Sequence, residues 1–409
     1  MAQLVVFEDE AFVQFLPLLF WRTLFELRLG RTILLDRVSQ WTGQPVTGVW
    51  TRDWMTKVAE QRCGAPANRP IRAGTVLING RWVFTDPPSF PTTPTVGMIG
   101  NKVAYVVCDA ALAQELSPEV MLDPSRRAEV LREVRDKPKV SGTLLAYPWD
   151  IVRGLPQTLA DEWQRVDAAI DSELDPRICL TSRDRIHVGE RAVIHPTAVL
   201  DATEGPVYLS HDVRIGAGAV LEGPLYVGPG SWIHPHTWIH GGNSIGPVCK
   251  VGGEITGCVI HGYTNKQHSG FLGHSYVGSW VNLGAGTSNS DLKNTYGHVR
   301  VPINGTDVDT GDAFFGAIIG DHVKTGINSS LATGAVLGFS AFAARAGFVP
   351  KYVPSFGWVS DTGIHAGKAD RMLDTATKVM ARRNIDMTDE EIELFLDLGT
   401  RVREVEAKA

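Results

Sequence analysis

Between Leu209 and Val251 an aliphatic residue falls on every sixth position: Leu209, Ile215, Leu221, Val227, Ile233, Ile239, Ile245 and Val251. Val188, Ile194 and Leu200 keep the step upstream. Ile319, Leu331 and Leu337 keep it downstream, with Thr325 on the remaining grid position. An α-helix repeats near 3.6 residues and a half-buried strand near two, so neither selects every sixth residue. A short strand followed by a corner does. Each unit turns one aliphatic inward, and stacked units bury a continuous column. Several of these aliphatics precede Gly, as in Ile215-Gly216 and Ile245-Gly246, where a corner needs backbone freedom. The pattern predicts a parallel β-helix of hexapeptide repeats over residues 186–348.

The grid fails between Lys250 and Ile319. Interruptions in a solenoid become loops on one face, often the binding face. Glu254, His261, Lys266, His268, Asn282 and the run from Gly284 to Asn294 all lie in that gap.

Residues 1–175 read differently. Strand-like runs at 4–7, 48–52, 75–79 and 102–108 alternate with helical spacing at 31–41, 128–136 and 159–174. Such alternation predicts an α/β domain with a parallel or mostly parallel sheet. Residues 355–409 form a third region. There Thr388-Asp-Glu-Glu391 is a capping box opening a C-terminal helix with apolar Ile392, Leu394, Phe395 and Leu398. That helix is expected to cap the solenoid or brace a neighbouring subunit.

Charge narrows the partners. Lys and Arg number 39 against 45 acids, a net charge of −6, with no basic stripe, which argues against nucleic acid. The first residues lack a basic run followed by an apolar one, so no signal peptide is expected. The longest apolar stretch is broken by Pro17, Arg22, Glu26 and Arg28, so no membrane span is expected. Five cysteines in no CxxC spacing fit free thiols in a reducing, cytoplasmic setting.

The segment NKQHSGFLGHSYVGSWVNLGAGT, from Asn265 to Thr287, resembles the acetyltransferase half of the bifunctional bacterial enzymes that make UDP-N-acetylglucosamine. Those carry a Lys-x-x-His run followed by Val-Asn-hydrophobic-Gly-Ala-Gly-Thr. LPLLFWRTLFELRLG resembles the opening of sugar nucleotidyltransferase-like proteins fused to such solenoids, keeping Arg22, Glu26, Arg28 and Gly30 and losing a Pro at Thr23. VLINGRWVF and YPWDIV resemble the same group. The resemblance implies a nucleotidyltransferase-like α/β domain, a left-handed β-helix, a homotrimer with sites between subunits, and acetyl-CoA as donor.

It also implies roles. His268 stands where the family has its general base, which takes the proton of the attacking amine; imidazole suits this near neutral pH. Glu254, Lys266, Phe271, Asn282, Thr287, Asn289, Asp291 and Lys293 are the candidates for holding an amino-sugar phosphate or nucleotide sugar. Phe271 replaces a Tyr, Asp291 an Asn, and Thr256 a phosphate-binding Lys, so the acceptor is open. Ala285, Ala332 and Arg345 are candidates for contacting coenzyme A.

The N-terminal domain lacks the Gly-x-Gly-Thr-Arg-Met phosphate loop of working nucleotidyltransferases, and Arg81 follows the strand that should present a Mg²⁺ ligand. Asp109 is the remaining carboxylate at a strand end. Arg22 and Arg28 are phosphate-binding candidates, or else anchors for Glu26 and neighbouring carbonyls. The domain is therefore expected to be degenerate or purely binding, with Mg²⁺ needed only if it is active. No resident metal is expected, although the solenoid histidines leave a zinc enzyme as one alternative. Two further alternatives are a sugar-1-phosphate nucleotidyltransferase making NDP-sugars and a non-catalytic sugar-nucleotide-binding trimer.

Overall fold

The computed structural model describes residues 3–408. Its centre is a three-faced parallel β-helix. One turn of chain runs Ile186–Val188, Val193–Ile194 and Val199–Asp201, then Val207–Leu209 begins the next turn against the first. Leu209, Val227 and Ile245 stack in register eighteen residues apart, three hexapeptides per coil. The expected column forms: the eight aliphatics from Leu209 to Val251 are all buried, none more than 3% exposed. Burying each such side chain stabilises the fold by about 1.5–3 kcal/mol.

The gap between Lys250 and Ile319 differs from the expectation. The coil continues through Glu254–Thr256, Val259–Gly262, Asn265–Lys266, Phe271–Gly273 and Tyr276–Ser279 in unbroken parallel register. The period fails because corners shorten, so the inward residues become Val251, Ile255 and Ile260. The true excursion is narrower, residues 290–316, and carries an antiparallel hairpin of Arg300–Ile303 with Thr306–Asp309. Coils then resume at Ala317–Ile319 and run to Gly357–Ser360.

The N-terminal sheet is mixed. Gly48–Trp50, Leu4–Phe7 and Val76–Asn79 are parallel neighbours. Lys102–Val107 then pairs antiparallel with Val76–Asn79, and Thr95–Ile99 antiparallel with it. A hairpin turn at Gly100 takes the place of a crossover helix, which reverses the chain. The long helix is Pro148–Trp163, earlier than the spacing predicts. Pro148 starts it without losing a needed N–H. Asp150 accepts from the N–H of Tyr147 at 3.0 Å.

This domain docks on the nine-stranded face of the β-helix. The inward row of that face is aliphatic. Its outward row carries His187, Tyr208, Tyr226, Ser244, Val259, Tyr276, Ile318 and Val336 in register. Arg31 lies 4.3 Å over the Tyr208 ring, and Tyr276 Oη accepts from Arg28 N at 2.8 Å. Trp21 stacks on Phe339 and meets Phe395 edge-on.

Two helices follow the coils, Ala369–Ala381 and Asp389–Lys408. The capping box is present: Glu391 N donates to Thr388 Oγ1 at 3.2 Å and Thr388 N to Glu391 Oε2 at 3.1 Å. Phe395, Leu398 and Val402 are buried, and Arg62 Nη2 donates to Glu391 Oε1 at 2.7 Å. The extension braces its own chain, tying the first domain to the solenoid. Among the described residues no helix is long and apolar enough to cross a membrane.

Candidate active site on the open edge of the solenoid

Two faces of the β-helix stay free of the N-terminal domain. One carries Trp232 on its outward row, the other Trp238. Their shared edge is a stack of corners: His234 to Thr237, Gly252-Gly253, Gln267 to Gly270, Gly284 to Thr287, and Gly326 to Asn328. Backbone bonds join successive corners, from Gly286 N to Ser269 O at 3.1 Å and from Asn328 N to Ala285 O at 2.7 Å. Glycine is needed at Gly286. It sits at φ +73° with Asn328 Oδ1 only 2.1 Å from where a Cβ would be.

His268 lies exposed on this edge. Lys266 does not. It takes an aliphatic's place in the inner column, 2% exposed, and its Nζ donates to Gly252 O at 3.0 Å and His268 O at 2.7 Å. The ammonium therefore grips the His268 turn from inside the coil. Burial lowers its pKa from 10.5 to about 8. At neutral pH that charge costs the fold about 3 kcal/mol, a cost that fades as pH rises from about 8 towards 10.5. Lys266→Met is expected to stabilise the protein by about 1–3 kcal/mol at pH 7, with the gain shrinking above pH 9. The same variant should lose activity, because the turn is no longer held. Urea unfolding at pH 7 and 9.5 beside an activity assay checks both.

The other candidates separate by position. Glu254 and Phe271 are outward neighbours on the Trp238 face. His240 there lies between Glu222, at 3.0 Å, and Glu254, at 3.4 Å. Ala285 and Arg345 share the His268 edge. Asn282 faces outward on the Trp232 face, between Asn265 and Lys324. Thr287 and Asn289 turn inward: Thr287 Oγ1 meets Thr325 Oγ1 at 2.8 Å, and Asn289 Oδ1 accepts from Gly273 N at 2.8 Å. Asp291 and Ala332 lie on the far edge of the Trp238 face, where Asp291 Oδ2 is 2.8 Å from His274 Nδ1. Lys293 Nζ donates to His298 O at 2.7 Å within the excursion.

Arg22 and Arg28 are buried in the seam between domains. Arg22 pairs with Asp321 and donates to Ser279 Oγ at 3.1 Å, and its Nη1 lies 3.0 Å from His261 Nδ1. Arg28 donates to His261 O at 3.2 Å and Arg31 O at 2.8 Å. Both guanidinium groups bond to protein groups in this seam, Arg28 to carbonyls and Arg22 to Asp321 rather than to Glu26. At the strand ends of the N-terminal sheet, Asp9 accepts from Arg81 at 2.7–3.0 Å and from Asn79 at 2.8 Å. Arg52 beside it pairs with Glu8 at 3.3 Å. Both arginines are almost wholly buried. A carboxylate held by a guanidinium is a poor Mg²⁺ ligand, so this donor set does not fit the ion. Asp109 instead caps a helix, accepting from Leu112 N at 2.9 Å. Among the described residues no three His, Cys, Asp or Glu converge as a metal set.

Sequence reasoning missed the His274–Asp291 pair, the Asp321 partner of Arg22, and Arg383, whose Nη2 donates to Asn265 Oδ1 at 2.7 Å. Each joins residues more than fifteen positions apart through coil stacking, which no local spacing encodes.

Residues 4–169 match the sugar nucleotidyl transferase family model. The chain is 27% identical over 319 residues to the bifunctional protein GlmU of Acaryochloris marina, covering 73% of this chain and 61% of that protein. It is 33% identical over 141 residues to a bifunctional sugar-1-phosphate nucleotidylyltransferase/acetyltransferase of Sulfurisphaera tokodaii, a third of each chain. The cyanobacterial match thus spans about three fifths of its relative's length. A solved UDP-N-acetylglucosamine acyltransferase aligns over 58% of this chain and 83% of its own at 16% identity, with a TM-score of 0.22, too low to carry a structural argument. The chain is similar over most of its length to bifunctional sugar-1-phosphate nucleotidylyltransferase/acetyltransferases, and its residues 4–169 match the sugar nucleotidyl transferase family model.

Proposed function

We propose that the chain is an acetyl-CoA-dependent N-acetyltransferase acting on an amino-sugar phosphate or nucleotide sugar, with His268 as general base. The observation carrying this reading is the His268 edge itself. An exposed imidazole sits on a turn braced from within by Lys266, beside the Gly284–Gly286 corner. Acetyl-CoA would supply the acyl group as a thioester. The amine of the acceptor attacks the thioester carbonyl while His268 takes the amine proton; the C–S bond then breaks, and the departing coenzyme A sulfur takes that proton back from His268 to leave as the thiol. The Ala285 N–H, which has no acceptor among the described residues, is the candidate donor to the developing oxyanion.

Apolar Ile327 and Phe348, 65% and 77% exposed, flank this edge and suit a pantetheine arm, with Arg345 for its phosphates. Exposed Trp232, Trp238 and Trp358 on the open faces are consistent with a homotrimer whose sites lie between subunits. The test is release of free coenzyme A thiol when acetyl-CoA is mixed with a panel of amino-sugar phosphates and amino nucleotide sugars. Release with none of them sinks the proposal.

The relatives' names carry nucleotidyl transfer as well. Against an active first domain stand Arg81 on Asp9 and Arg52 on Glu8, which fill the strand ends where α/β folds bind ligands. We read this domain as a docking body. Incubation with each NTP, a sugar-1-phosphate and Mg²⁺ is expected to give no pyrophosphate above background. Stoichiometric or faster release would reverse that reading.

A further inference from the structure

The Trp232 face carries an outward stripe in which Trp232, Lys250, Asn265, Asn282 and Lys324 are successive rungs. Rungs lie about 4.8 Å apart, so the run from Lys250 to Lys324 covers about 14 Å. Neighbouring inward residues fix the directions: Val251 and Lys266 fill the core, which turns Lys250 and Asn265 outward. Lys250 Nζ lies 5.8 Å from the Trp232 ring.

The C-terminal extension adds cations to this stripe. Arg382 ends the helix Ala369–Ala381, and Arg383 reaches across to Asn265 on the rung beside Lys250. A helix C-terminus tolerates cations, which accounts for Arg382. It does not account for Arg383 leaving the helix to engage a solenoid side chain. Among the described residues none of Lys250, Lys324, Arg382 and Arg383 forms an ion pair with a carboxylate. Each of Lys250 and Arg383 has its proton affinity lowered, by burial first and then by neighbouring arginine charge. Lys324 Nζ donates to Trp280 O at 2.7 Å and His322 O at 2.9 Å, which leaves Lys250, Arg382 and Arg383 as three cations of this stripe without a carboxylate partner, in a chain of net charge −6. The next corner along this face holds His268, so a ligand on the stripe ends at the candidate base.

We propose that Lys250, Asn265, Arg382 and Arg383 form a binding site for the phosphate or diphosphate group of a phosphorylated organic ligand, with the C-terminal extension completing it. The three cations supply charge-assisted hydrogen bonds to phosphate oxygens, and the Asn265 amide N–H group a neutral one. The ligand could be coenzyme A or the phosphorylated acceptor. Assigning the source rests on the acetyl-transfer reading; the anion site itself does not.

Isothermal titration of the full chain with inorganic pyrophosphate at low salt tests the site. Wild-type protein is expected to bind, with affinity falling as salt rises. Lys250→Gln, and Arg382→Gln with Arg383→Gln, should each weaken binding about tenfold or more. Should the double variant unfold, Lys250→Gln decides alone. Displacement by coenzyme A assigns the site to the donor, and displacement by glucosamine-1-phosphate or UDP-N-acetylglucosamine assigns it to the acceptor. No pyrophosphate binding, binding unchanged in the variants, or binding that no organic ligand displaces overturns the proposal. His268→Ala should retain pyrophosphate binding, so loss of transfer and loss of this site are told apart.

Discussion

Asp321→Ala is expected to destabilise the protein by about 3–5 kcal/mol, because it strands the buried Arg22 guanidinium without a counter-charge. The side chain of Asp321 is fully buried and that of Arg22 is 5% exposed, so water cannot replace the lost partner. Asp321 also accepts from Ser279 N at 2.5 Å, a bond the alanine removes. The lesion falls in the seam between domains, so urea unfolding should develop an early phase in which the N-terminal domain releases from the solenoid. Were Arg22 a solvent-facing phosphate ligand, the same substitution would change stability by well under 1 kcal/mol.

Acid should act on the same seam. His261 and His322 both have pKa values well below the ordinary 6.5, each because burial opposes the charged ring and Arg22 or Lys324 lies near. His322 sits among Trp21, Trp280, Phe339 and Phe395 with both ring nitrogens unpartnered. The unfolded chain binds protons that the folded one refuses, so stability is full above pH 6.5 and is lost as pH falls below it.

His268→Ala is expected to lower the rate of acetyl transfer by 10²–10⁴-fold, roughly the contribution of one general base. Thermal stability should hardly move, because the side chain is exposed and its carbonyl, which Lys266 grips, is retained. His274→Ala is the informative control. Its imidazole is held by Asp291 on the far edge of the Trp238 face, where transfer chemistry is not expected. A loss of transfer in His274→Ala with none in His268→Ala would move the base one edge over.

The scaffold was legible because it is periodic. Eight aliphatics on a six-residue grid announce a column, and the column formed. The limits of legibility are physical too. Repeat units of four or five residues in place of six do not change the architecture, but they erase the grid, so the coils between Val251 and Tyr276 read as a break. The helix at Pro148–Trp163 was displaced in the reading because Pro156 sits inside it and hides its continuity. Motif residues were legible as a group and not by direction. Lys266 and Thr287 stand in the motif with His268, and Asn289 just after it, yet all three point into the coil and hold corners. Arg22 and Arg28 could be read either as phosphate ligands or as anchors, because the partners they bond, Asp321 and the His261 carbonyl, lie more than two hundred residues away. Sequence spacing cannot see such pairs.

The most direct test of the central claim is a structure of the protein with acetyl-CoA bound. The account predicts the thioester on the His268 edge, its carbonyl carbon close enough to the imidazole for an amine between them to lose its proton. A thioester held elsewhere, on the far edge by His274 or away from the solenoid, would contradict it.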